Sequence, residues 1–97
     1  MRKRDEEQIQ LLHPEGKTAA KILKRRYDAI RKAILQEVDA SREIAFIDLT
    51  ERAPKRLSHF DGKTTWYITA VKLDLEARGE LERFEQEGRQ WVRRPAE

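Results

Sequence analysis

Apolar positions along the chain change their period several times, and each change marks an element. Gln8-Ile9-Gln10-Leu11-Leu12 alternates briefly and meets His13-Pro14-Glu15-Gly16, a strong turn signal. Lys17 to Ile22 then reads as the returning strand of an N-terminal β-hairpin, in preference to an approach to the first helix. From Lys24 the spacing becomes helical. Tyr27, Ile30, Ile34 and Val38 share one side, while Arg25, Asp28, Arg31, Lys32 and Gln36 lie elsewhere on the wheel. This predicts an amphipathic helix of about four turns. Ser41-Arg42 punctuates the chain before Glu43-Ile44-Ala45-Phe46, which suits one short strand.

A second helix is expected to open near Ile47-Asp48-Leu49-Thr50, where Asp48 and Glu51 suit the positive end of the helix dipole. Pro54 is expected to kink or restart it, because proline in a helix interior costs about 3 kcal/mol. Ser58-His59-Phe60-Asp61-Gly62 forms a turn that Phe60 anchors on the core. Asp61, Thr64 or Thr65 is placed to cap a third helix, which runs to Gly79. Glu80 to Glu85 and Arg89 to Arg93 then read as two strands joined at Gln86-Glu87-Gly88.

Placing the third helix at 100° per residue puts Trp66, Ala70, Leu73 and Ala77 along one side. Val71, Leu75 and Ile68, with Tyr67 at the edge, form a second apolar stripe nearly opposite. Thr65, Lys72, Glu76 and Thr69 make one polar strip between them, and Lys63 and Asp74 the other. Val71 and Leu75 read as core. Trp66 reads equally well as core or as an exposed contact.

Composition narrows the function. Ninety-seven residues suffice for one modest core, with residues 1–7 as a charged arm, 8–94 as a single domain and 95–97 as a tail. The chain has no cysteine, so it has neither a disulfide framework nor a thiolate nucleophile. No apolar run approaches the roughly 20 residues of a membrane span. The basic start leads into Asp5-Glu6-Glu7 and not an apolar core, so no signal peptide is expected and a cytoplasmic location follows. His13 and His59 fall on separate turns with no metal-ligand spacing, and the glycines at 16, 62, 79 and 88 are isolated. No metal, no cofactor and no enzymatic activity are expected.

Charge is segregated. Residues 1–35 carry ten basic and five acidic side chains, net +5. Residues 52–72 carry five basic side chains against Asp61 alone, net +4, and residues 73–88 carry six acidic against two basic, net −4. A basic block followed by an acidic one suggests a directed surface.

A helix stopped by a glycine and followed at once by a two-stranded ribbon, Trp66 to Arg83 above all, resembles the end of bacterial winged helix-turn-helix domains. The implied fold is α+β: three helices, a short strand and a two-stranded wing, here preceded by the hairpin. More narrowly, Leu12-His13-Pro14-Glu15-Gly16-Lys17 together with the Trp66–Arg83 segment looks like a family of small bacterial proteins of uncharacterised function. The resemblance covers about Ile9 to Val92 and implies a fold, not an activity. On a helix-turn-helix the second helix end, the turn and the third helix start face phosphates. The leading expectation is therefore a non-enzymatic double-stranded DNA-binding protein, a small regulator that acts as a dimer. Lys55, Arg56 and Lys63 hold phosphates in this reading, Thr64, Thr65, Thr69 and Lys72 face the groove, and Arg89 touches the backbone from the wing. Two alternatives stand beside it. One is a protein-interaction module that uses an apolar face of the third helix; the other is a self-associating homodimer.

Overall fold

Hydrophobic residues at helical spacing and short β-branched segments build the architecture of the computed structural model, which describes residues 7–60 and 62–96. The Met1-Arg2-Lys3-Arg4 arm, the Asp61 cap and Glu97 of the tail lie outside the described residues. Strand β1 (Gln8–Gln10) pairs antiparallel with β2 (Lys21–Leu23), with Ile9 opposite Ile22. The return strand is thus shorter and later than the Lys17–Ile22 reading. Residues 11–20 make a long excursion instead, tightened where Gly16 N–H donates to His13 O at 2.9 Å.

Helix α1 (Lys24–Ser41) buries Tyr27, Ile30, Ala33, Ile34, Leu35 and Val38, the side the periodicity marks. Strand β3 (Glu43–Ala45) follows. Phe46, read as the end of that strand, opens helix α2 (Phe46–Arg52) instead. Pro54 acts as expected: α2 stops at Arg52 and the chain restarts as a single 3-10 turn, Ala53–Arg56, with the proline in its first positions. Helix α3 (Thr64–Ala77) begins after Lys63, which makes no side-chain capping bond, so neither Thr64 nor Thr65 is the cap. It ends with Gly79 N–H donating to Glu76 O and Glu80 N–H to Leu75 O, a paired closure of the last turn.

Strands β4 (Glu82–Gln86) and β5 (Arg89–Arg93) form the wing. Their two-residue turn puts Glu87 at φ 55° and Gly88 at φ 73°, the handedness that matches a twisted hairpin. Strand β5 also pairs antiparallel with β3, giving the order β3-β5-β4 with Val92 opposite Ile44. The wing is thereby locked to the helices, and the fold is α+β with an N-terminal hairpin, three helices, a short strand and a C-terminal wing, an arrangement compatible with a winged helix-turn-helix. Ile30, Ile34, Val38, Leu49, Ile68, Val71, Leu75 and Val92 are fully buried in one core. Each such side chain contributes about 1.5–3 kcal/mol by leaving water.

Candidate nucleic-acid interface

The exposed side of α1 and the segment after the 3-10 turn enclose a basic groove. Arg25, Ala29, Lys32 and Gln36 recur at intervals of four, three and four residues, so they line up along α1 away from its core face. Against this ridge lie two adjoining clefts. One, of about 280 Å³, is lined by Lys32, Gln36, Arg56, Leu57, Ser58 and Phe60 among others. The second, of about 250 Å³, is lined by Arg25, Arg26, Ala29, Ser58, His59 and Phe60. The two share Ala29, Ser58 and Phe60. None of the described residues lining either cleft is acidic.

Aromatic packing sets the shape of this groove. Phe60 is half-buried against the core, as expected for its anchoring role, and meets the Tyr67 ring edge-on at 5.1 Å. Arg26 donates from Nη1 to Tyr67 Oη at 2.7 Å and lies over the same ring. Gly62 sits in this corner at φ +135°, and a Cβ there would come within 2.9 Å of the Tyr67 ring. The loop therefore needs glycine both for its backbone and for the close approach. Arg56 is fixed by Glu37 of α1, its Nε donating to Oε2 at 2.5 Å, and this pins the loop end to α1.

Lys55 and Lys63 are exposed at the two ends of the loop, beside Arg56 and Gly62 respectively. Of the predicted cations the structure thus places Arg56 in the cleft lining, while Lys55 and Lys63 line neither cleft, and it joins to Arg56 the cations Arg25, Arg26 and Lys32, which reasoning from the sequence missed. Their signal was the +5 balance of residues 1–35. What the sequence does not tell is that the loop packs beside that side of α1.

The remaining positions divide. Thr65 is exposed, while Thr64 and Thr69 are half-buried. Arg89 is exposed but borders a different cleft, of about 390 Å³, with Phe46, Ile47 and Gln90. Lys72 corrects the groove-facing reading: it is only 2% exposed. Its Nζ lies 2.5 Å from Glu76 Oε2, bonds Gln90 Oε1 on β5 and sits 4.9 Å from the centre of the Phe46 ring. The Glu76 contact is an ion pair without hydrogen-bond orientation at Oε2. Burial pulls the Lys72 pKa down from its ordinary value, and Glu76 opposes that fall. Within that polar strip, Lys72 and Glu76 form a buried clamp between α3 and the wing.

Asp74, on the other polar strip, is also wholly buried. Its Oδ1 accepts the Leu12 N–H at 2.8 Å, and its Oδ2 accepts from Tyr27 Oη at 2.6 Å and Arg78 Nε at 2.8 Å. Arg78 also reaches the Gln10 carbonyl at 3.3 Å. One carboxylate therefore ties the hairpin excursion, α1 and α3 together. Burial, with the bond to Asp74 second, pushes the Tyr27 hydroxyl well above its usual range.

Among the described residues no group of three or more His, Asp or Glu side chains is placed to hold a metal ion, and no helix is long and apolar enough to cross a membrane. No curated protein and no solved structure matches the chain. Residues 8–91, nearly all of the folded part from β1 into β5, match a family of unknown function, and the chain belongs to that family, DUF6958.

Proposed function

We propose that the domain is a non-enzymatic DNA-binding protein on a winged helix-turn-helix scaffold that grips duplex phosphates through the basic groove between α1 and residues 56–60. The observation that carries this reading is the clustering of cations: Arg25, Arg26, Lys32 and Arg56 border two adjoining clefts on one side of the domain. Phosphate binding needs that arrangement, because each cation that replaces condensed counterions gains their release entropy. Lys55 and Lys63 extend the positive surface at both ends. Base reading by α3 is weak in this proposal, since its outward side carries Trp66, Ala70, Leu73 and Ala77 and few donors.

Fluorescence anisotropy with a random-sequence duplex tests the proposal. Micromolar binding at low salt is expected, with affinity falling as roughly the fourth power of salt concentration for about four phosphate contacts. Lys32→Glu/Lys55→Glu/Lys63→Glu should lose at least about tenfold in affinity and flatten the salt slope. No binding by the folded protein at low salt, or unchanged binding by the triple variant, would overturn it.

A further inference from the structure

The outward face of α3 has a pattern that the basic groove does not use. Trp66 is 47% exposed, and Ala70, Leu73 and Ala77 beside it are half-buried. Neither Trp66 nor Leu73 belongs to the core cluster or packs against it, whereas Ala70 between them touches the core from the edge of this face. The core side of the helix is the opposite one, carried by Ile68, Val71 and Leu75.

The intervals from Trp66 to Ala77 are four, three and four residues, the spacing of a coiled-coil seam about 16 Å long. The large residues, Trp66 and Leu73, take one seam position, and Ala70 and Ala77 take the other. In an antiparallel pair the layers join unlike positions, so Trp66 meets Ala77 of a second copy and Ala70 meets its Leu73. Every layer is then one large side chain against one alanine. A parallel pair would set Trp66 against Trp66 and Ala70 against Ala70, leaving one layer crowded and the next empty. The same antiparallel register sets exposed Lys63 at the start of α3 against Glu80 just beyond its end. Glu80 is bonded through Oε1 to Arg31 and remains partly exposed. Size and charge are therefore both self-complementary about a two-fold axis between positions 71 and 72, as an isologous contact requires.

We infer that α3 is the self-association helix of this protein, packing antiparallel on α3 of a second copy through Trp66, Ala70, Leu73 and Ala77. The groove lining, on α1 and residues 56–60, takes no part in this seam, Lys63 alone flanks both, and the inference does not depend on DNA binding.

Sedimentation equilibrium without DNA tests it. Average mass should rise from one chain of 11.5 kDa toward twice that value between roughly 10 μM and 1 mM, as mass action requires for a small interface. Leu73→Glu and Trp66→Glu, each with an unchanged circular dichroism spectrum, should remain monomeric. Should Leu73→Glu fail to fold, the more exposed Trp66→Glu decides. Because the chain has no cysteine, Lys63→Cys and Glu80→Cys mixed together report orientation cleanly. The mixed disulfide should predominate. A monomer at every concentration, association that survives both glutamate variants, or a predominant Lys63→Cys homodisulfide would overturn the inference.

Discussion

Asp74→Ala is the substitution whose cost follows most directly from the geometry. The wild-type carboxylate accepts three hydrogen bonds in a site closed to solvent. Without it the Tyr27 hydroxyl, buried on α1, loses its acceptor, a loss of about 1–3 kcal/mol. The partly buried Leu12 N–H adds about 1 kcal/mol. Arg78 adds little, since its side chain is 32% exposed and water replaces much of what it loses. With the small cavity left behind, about 3–5 kcal/mol is expected, a large share of the roughly 5–15 kcal/mol typical of a small domain. Asp74→Asn keeps one oxygen for Leu12 but turns an amide donor toward Arg78, and should cost about 1–2 kcal/mol. Urea denaturation followed by circular dichroism measures both. At a slope near 1.5 kcal/mol per molar urea, the alanine midpoint should fall by about 2–3 M. A Tyr27→Phe/Asp74→Ala cycle should show about 1–2 kcal/mol of coupling. An alanine variant within about 1 kcal/mol of wild type, or an additive cycle, would refute the assignment of Asp74 as the central tie.

The Lys72–Glu76 clamp predicts that Lys72→Met alone destabilises by about 2–4 kcal/mol in the same assay, because it leaves the buried Glu76 carboxylate only its longer contact with Arg83 at 3.7 Å, while Lys72→Met/Glu76→Leu returns most of the loss. Removing both charges with no recovery would contradict the clamp. In alkaline titration Tyr27, whose folded pKa is raised by burial above the ordinary tyrosine value of about 10, should show no tyrosinate signal while the fold persists. The bond it makes contributes fully below about pH 10 and is lost as pH climbs further, because the unfolded chain gives up that proton first; a Tyr67→Phe background isolates the signal. Gly62→Ala should lower the melting temperature by several degrees, since it costs about 1–3 kcal/mol in backbone strain and forces Tyr67 to move. An unchanged melting temperature would mean the corner is not tight.

Local rules carried most of the fold. The spacing of Tyr27, Ile30, Ile34 and Val38 marks the buried side of α1. Pro54 marks the end of α2, and Glu87-Gly88 marks the wing turn. The misread positions are those whose environment comes from far along the chain. Lys72 and Asp74 look like surface residues on a wheel, yet Gln90 of β5 and the Leu12 amide, 62 residues away, supply the partners that make burial tolerable. Pattern alone places a polar residue by its own character, not by what a distant strand or loop offers it. The same limit explains the groove. Lys55, Arg56 and Lys63 read as a basic block, but Arg25, Arg26 and Lys32 join Arg56 only because the 56–60 segment folds back on α1. The pattern leaves Trp66 between core and surface, since α3 is apolar on both sides and nothing in its own sequence says which side α1 takes.

Nuclear magnetic resonance mapping of a random-sequence DNA duplex onto the labelled protein tests the proposed role of the basic groove most directly. Amide shifts at low salt should concentrate at Arg25, Arg26, Lys32 and residues 55–63, and fade as salt rises. Lys72 and Glu76, sealed between α3 and the wing, should not move. Shifts centred on Arg89 and the wing, or no shifts at all, would contradict the groove as the DNA-binding surface.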